Sequence, residues 1–288
     1  MNLSTGIIFG LIAMIGFGLS NAMSQTPSRK IGSRRTILFR NIFVSILLLI
    51  TLLFFLKDSS FDLKYILIAF SISFIGYIPL ATFLKGLKVG KVGIVSPIAN
   101  SSVIFTVILS IVFFNESLSP EQIASIILIV IGIILISLNF KDLKKSNLFK
   151  ISSGIPYALT SCFLWGIVFF LFKIPVTVLG PILTSFIIEF GILIFNAISL
   201  KISKISFSIP EKKTLLHILI IAFFGTLGTL FFNLGIAVSD VSIVAAITFS
   251  SPLVAVLYGK FVYKEKLEIQ QWIAIAVILV GVLAVSYL

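Results

Sequence analysis

The chain has 288 residues, 59% of them hydrophobic and only 11% charged, with a formal net charge of +12. So little polar surface cannot cover a soluble domain of this size, which makes the bilayer the solvent. The Lys and Arg residues stand in short clusters between long apolar runs and form no basic face, so the excess charge marks loops beside a membrane and argues against a nucleic-acid partner.

A spanning helix takes about 20 mostly apolar residues. Runs of that kind fall at 3–24, 36–56, 65–84, 92–114, 122–140, 151–172, 179–200, 214–237, 241–262 and 269–288. The first follows Met1 and Asn2 with no basic stretch and no small-residue cleavage pattern, so it reads as a permanent helix. The second carries Arg40 a few residues in from its start. The third holds Tyr77. In the fourth, Ser96, Pro97, Asn100, Ser101 and Ser102 gather near mid-depth. Ser119-Pro120-Glu121-Gln122 then reads as an N-cap, a proline at the first helical position and a capping-box glutamine, opening the fifth. The sixth holds Tyr157, Cys162 and Trp165, the seventh a central Glu189, and the eighth His217 and Asn233. Thr248, Phe249, Ser250, Ser251 and Pro252 repeat the mid-depth polar cluster in the ninth. All these segments are continuously apolar without strand alternation, so the expected fold is all-α, an integral membrane bundle of ten transmembrane helices. A single Cys excludes an intrachain disulfide and a single His a multi-His metal site; no cofactor is implied.

Loops and helix ends after the odd-numbered spans hold 18 Lys and Arg residues, among them Arg29, Lys30, Arg34, Arg35, Lys85, Lys88, Lys144, Lys212 and Lys264. The opposite loops hold 3, namely Lys57, Lys64 and Lys173. The positive-inside rule then predicts that the basic loops are cytoplasmic and both termini outside.

Sliding the chain against itself by 149 residues pairs Gly76 with Gly225, Gly86 with Gly235, Ser101 with Ser250, Ser102 with Ser251, Glu116 with Glu265, Gln122 with Gln271 and Gly132 with Gly281. A shift of 148 pairs Gly6 with Gly154 and Gly18 with Gly166. Apolar matches arise by chance in such a chain, but the polar and glycine matches do not. The chain therefore divides into a repeat at 1–140, a basic cytoplasmic linker at 141–150 and a second repeat at 151–288, with five helices in each repeat. An odd number of crossings makes the second copy enter the membrane inverted, an architecture suited to alternating access around a site near the midplane.

Val241-Ser242-Ile243-Val244, Ser250-Ser251-Pro252, Lys264-Glu265-Lys266-Leu267, Gln271 and Gly281 resemble an EamA domain. The first copy repeats the pattern from Val92 through Pro97 and Asn115-Glu116-Ser117-Leu118 to Gln122 and Gly132. Phe163-Leu164-Trp165-Gly166 resembles the family's aromatic-glycine signature. In the first copy Gly16-Phe17-Gly18 lacks the Trp, and in the second Ala245-Ala246 replaces Ser96-Pro97. The whole chain thus resembles the drug/metabolite transporter superfamily, in its ten-helix branch with two EamA domains. The resemblance implies a transporter and says little about the substrate; it also implies cytoplasmic termini, opposite to the charge count.

The candidate substrate-binding or coupling residues are Glu189, Arg40, Trp165, Asn100, Ser101, Ser250, Ser251, Tyr77 and Asn233. An unpartnered carboxylate at mid-membrane costs about 3 kcal/mol or more, so Glu189 should face the bundle interior, as a functional acid or as half of an ion pair. Arg40 falls opposite it in the repeat alignment and could pair with it, or snorkel to the headgroups. The Ser-rich clusters could line a cavity where the prolines free backbone carbonyls, or simply let helices approach closely. Asn21 and Asn233 need hydrogen-bond partners within the membrane, while Glu116 and Glu265 read as solvated or capping residues. Glu189, Trp165 and the Ser101 and Ser250 regions are expected to border one cavity.

The function expected from these observations is a secondary transporter, an exporter or exchanger, of a small polar or amphipathic metabolite. Protons are a candidate coupling ion, the location is a cell membrane crossed many times, and a monomer would suffice. An intramembrane enzyme, a channel or a scaffold is the competing reading, although one central acid and one His supply no catalytic constellation. Gly86-Leu87-Lys88-Val89-Gly90-Lys91-Val92 lacks the spacing and the Ser/Thr of a phosphate loop, which excludes a built-in pump motor.

Overall fold

The computed structural model describes residues 3–137, 153–262, 264 and 266–287. The linker expected at 141–150, including Lys144, the end of the fifth span, and Glu265 lie outside the described residues. Within them the first half contains α1 (Leu3–Met23), α2 (Gln25–Ile31), α3 (Ser33–Phe54), α4 (Leu63–Val89), α5 (Val92–Asn100), α6 (Val103–Phe114) and α7 (Pro120–Ser137). The second contains α8 (Ile155–Leu171), α9 (Lys173–Leu179), α10 (Pro181–Ile202), α11 (Lys212–Val238), α12 (Val241–Thr248), α13 (Pro252–Val262) and α14 (Ile269–Tyr287). Among the described residues, nine segments are long and apolar enough to cross a bilayer and Pro120–Ile136 is a shorter tenth.

The halves correspond element by element: α2 and α9 have 7 residues each, α3 and α10 have 22, and α4 and α11 have 27. Contacts across the halves settle the symmetry. A methyl placed on Gly132 of α7 would lie 2.5 Å from Ile278 Cγ1 of α14, and one on Gly281 of α14 would lie 2.7 Å from Ile129 Cγ1 of α7. Gly132 and Gly281 are repeat partners, as are Ile129 and Ile278, so the two contacts exchange under a two-fold operation. As residue number rises along α7 it falls along α14, so equivalent helices run antiparallel, and the two-fold axis lies in the membrane plane. Likewise α1 lies along α11 as α8 lies along α4, and α3 meets its own equivalent, α10.

Three expectations about local structure are corrected. The first and sixth spans are longer than their apolar cores: α1 runs on into α2, and α8 into α9, so Arg29 and Lys30 lie on a helix. Lys173, expected in a loop, is the first residue of α9. A single glycine makes each following turn, Gly32 at φ 89° and Gly180 at φ 83°, a region a side chain rarely tolerates; loops expected from composition are thereby reduced to one residue.

The fourth and ninth spans are broken, α5 from α6 at Ser101–Ser102 and α12 from α13 at Phe249–Ser251. The capping box expected at α7 is formed: Ser119 N donates to Gln122 Oε1 at 3.0 Å and Gln122 N to Ser119 Oγ at 3.2 Å. Its repeat counterpart opens α14, with Glu268 N donating to Gln271 Oε1 at 3.0 Å. Every residue of α12 is buried, while large apolar side chains such as Phe54, Leu67, Phe113, Phe163 and Ile273 face outward toward lipid.

Candidate functional site

The centre of the bundle is polar. Arg40 on α3 and Glu189 on α10 are 6% and 5% exposed, and Arg40 Nη1 lies 3.2 Å from Glu189 Oε2. α3 and α10 are in register from their Gly32 and Gly180 turns at an offset of 148, so the repeat counterpart of Glu189 is Asn41, the neighbour of Arg40, and the pair lies beside the two-fold axis and not on it as the 149-residue alignment implied. Arg40 is therefore a paired core residue, and the headgroup-snorkelling alternative falls. Asn41 Nδ2 donates to the same carboxylate oxygen at 2.8 Å and to the Glu189 carbonyl at 3.1 Å, and Asn41 Oδ1 accepts from Arg40 Nη1 at 2.8 Å. Thr229 Oγ1 on α11 donates to Glu189 Oε1 at 2.6 Å. Gly225, one turn earlier on α11, makes room for the guanidinium: a Cβ there would lie 2.6 Å from Arg40 Nη2.

Arg40, Glu189 and Thr229 form one wall of a narrow cavity of about 60 Å³. Phe17, Trp165, Phe169, Phe172 and Phe249 supply aromatic surface, and Ser20, Asn21, Ser24 and Asn100 supply polar groups. Trp165 is braced by Phe83, with ring centroids 4.9 Å apart. The lining reaches toward the basic end of the molecule at Ser24 and Leu84. Toward the other end Phe169 packs against Phe249, Phe232 and Phe172 at centroid distances of 4.8, 5.0 and 5.2 Å, closing that side with rings.

The sequence candidates thus divide. Glu189, Arg40, Trp165 and Asn100 line the cavity. Ser251 stands behind it, its Oγ donating to Asn100 Oδ1 at 2.9 Å. Ser101, Ser250, Tyr77 and Asn233 do not line it. The hydroxyls of Ser101 and Ser250 turn back to the Pro97 and Ala246 carbonyls, four residues earlier, at 3.1 and 3.0 Å, the local back-bonding open to a Ser in a helical turn. Tyr77 packs against the apolar core, and Asn233 donates to Ser185 Oγ at 2.8 Å between α11 and α10. Sequence reasoning missed Asn41 and Thr229. Thr229 had a signal: it stands four residues before Asn233, on the same face of α11, a polar stripe in an apolar helix.

Beyond the ring cluster, the end opposite the basic loops is tied across the repeats. Glu116, after α6, accepts from Val241 N at 2.7 Å and Ser242 N at 3.0 Å and so caps α12, confirming a capping role. Lys173 Nζ donates to the Ile236 carbonyl and, at 3.2 Å, to that of Ser239, which terminates α11. Burial, and then the Glu116 charge, push the Asp240 carboxyl above the usual range, with Lys173 opposing. At the basic end the equivalent residue, Gln25, donates to the Leu87 and Gly90 carbonyls at 3.3 and 3.0 Å. Each carbonyl acceptor at one end is the repeat counterpart of one at the other.

Residues 4–138 and 152–287 both match the model of the EamA-like transporter family. An uncharacterised protein of Methanocaldococcus jannaschii is 31% identical over 141 residues, spanning 48% of this chain and 99% of that one, about the length of one repeat. A crystal structure of another protein superposes with a TM-score of 0.75 at 14% identity, covering 98% of this chain and 96% of that chain, which establishes a shared fold.

Proposed function

Since the chain belongs to the EamA-like transporter family, one copy of the domain in each half, we propose that it is a secondary carrier of a small amphipathic metabolite, working by alternating access. The observation that carries this reading is the Arg40–Glu189 pair, contributed by both inverted halves and bordering the central cavity. A contact beside the symmetry axis is compatible with either half rocking over the other, whereas the ring cluster closes one end only. The same packing formed at the opposite end would expose the other side.

The cavity carries one positive and one negative side chain, engaged with each other, so its walls present no net charge. Each recorded contact of the Glu189 carboxylate has it accepting, from Arg40, Asn41 and Thr229. A substrate with an apolar, planar part for the Phe17, Trp165 and Phe169 surface and a neutral or zwitterionic head for Asn21 and Asn100 matches the chemistry of these walls, and the cavity of about 60 Å³ has to widen to admit it. Exchange, or export from the basic end, suits a pair that remains closed throughout the cycle better than proton coupling through Glu189.

Purified protein in liposomes loaded with a metabolite mixture provides the test, run with and without a pH gradient. Uptake of the transported solute should saturate, and the same solute inside should accelerate it. Flux that rises linearly and ignores the internal solute would make the protein a channel, and turnover of lipid without solute flux would make it an enzyme.

A further inference from the structure

We propose that the basic end carries a second site, separate from the central cavity, that binds a phosphate group, either of an anionic lipid headgroup or of a soluble phosphate ester. A pocket of about 300 Å³ lies beside the single-residue turn between α2 and α3, walled by Gly32, Arg34, Arg35, Lys85, Lys88 and Ile205. Its lining holds four cationic side chains and no carboxylate.

Three features make this more than a charged surface. First, the pocket contains the N-terminus of α3, where Gly32 provides no side-chain cap. The leading amides of a helix have no intrahelical acceptor and carry the positive end of its dipole. Arg34 and Arg35 in that first turn add like charge, an arrangement that costs stability until an anion enters. Second, both guanidinium groups are tethered, Arg34 to the Ser203 hydroxyl and Arg35 to the Ser208 carbonyl. Both side chains line the hollow, so their charge is held beside it.

Third, the repeat supplies an internal control. Gly180 makes the same turn as Gly32, at φ 83° against 89°, yet the positions equivalent to Arg34, Arg35, Lys85 and Lys88 are Ile182, Leu183, Leu234 and Ala237. The backbone therefore forms this corner without any charge. Topology alone asks only for Lys and Arg somewhere on one side of the membrane, which Lys201, Lys204, Lys212 and Lys213 already provide. It does not ask for four of them to converge on one hollow. A phosphate group matches that hollow: its oxygens accept from a guanidinium fork, ammonium groups and helix-terminal amides together. Basic pockets at this depth are suited to lipid phosphates.

Wild-type protein is purified in phosphatidylcholine nanodiscs, and phosphatidylglycerol or glycerol 3-phosphate is titrated. Thermal midpoint and lipid retained after transfer to detergent are the readouts. The pair Lys85→Gln/Lys88→Gln is compared with Lys212→Gln/Lys213→Gln, which removes equal charge from the same end outside the pocket. One phosphate source should stabilise the wild type, about 30-fold weaker in the Lys85/Lys88 variant and little changed in the Lys212/Lys213 variant. Preference for phosphatidylglycerol identifies a headgroup site, and competition by glycerol 3-phosphate a soluble ligand. Equal weakening in both variants would reduce the effect to diffuse charge, and absence of binding to the wild type by either source would overturn the proposal without any variant.

Discussion

Replacing Glu189 with Gln keeps the shape of the side chain and removes the negative charge facing Arg40 beside the two-fold axis. Arg40 and Glu189 are only 6% and 5% exposed, so the guanidinium cannot recover the lost interaction from water. Breaking a buried pair from one side costs about 3–5 kcal/mol, mostly from the charge left behind. Glu189→Gln alone should therefore be strongly destabilised, and Arg40→Gln similarly. The double variant, which leaves neither charge, should recover most of the loss. Denaturant unfolding of the purified proteins in one detergent, analysed as a double-mutant cycle, measures this, and liposome flux of each variant that folds reads the consequence for transport. A loss below about 1 kcal/mol in Glu189→Gln, or a double variant no more stable than either single one, would refute the buried-pair reasoning and place Glu189 in a solvated environment. If folded Glu189→Gln loses only its response to a pH gradient, the carboxylate carries a proton and the exchange reading fails.

Gly225→Ala should loosen the same pair, because its Cβ would lie 2.6 Å from Arg40 Nη2, whereas at the repeat-equivalent Gly76 the nearest atom would be 3.5 Å away; stability and flux should fall for the first and hold for Gly76→Ala. With Cys162 buried, single cysteines report sidedness: an impermeant thiol reagent on intact cells should label Ser59→Cys and spare Ser206→Cys, and the reverse would invert the expected orientation. The Asp240 carboxyl is raised by burial and by Glu116, so ionising it is harder in the folded protein than in the unfolded chain. Its contribution to stability is fully present below the ordinary carboxylate value and is lost as pH rises through the raised one. Asp240→Asn should remove that part of the pH dependence, and an unchanged pH–stability profile would show that the group contributes none.

Where the sequence signals were local, they were legible. Ser119 and Gln122 had to be three residues apart to cap one another, and the apolar run lengths follow from bilayer thickness. The repeat pointed to Arg40 as the partner of Glu189 through the 149-residue offset, although α3 and α10 align at 148 and place Asn41, which also holds the carboxylate, opposite it. Burial explains the failures at Ser101 and Ser250: a hydroxyl beside a break in a helix has a carbonyl of its own chain within reach, and composition cannot tell that use from a cavity wall. Asn41 and Thr229 were missed because their role depends on which side of α3 and α11 meets α10.

The order of the helices, their division into two copies and the inversion of the second were determined by the sequence itself, because hydropathy and self-similarity are properties of the chain read in one dimension. Tertiary structure alone decided which polar residues share a space. Each helix packs against several neighbours, and its rotation about its own axis is set by close contacts such as those of Gly132 with Ile278 and Gly225 with Arg40. That rotation brings Glu189 to Asn41 and Thr229, turns Tyr77 into the apolar core, and gathers Arg34, Arg35, Lys85 and Lys88 around one hollow. A helix in lipid hides its backbone polarity internally, so side-chain packing is what chooses the face turned to the centre.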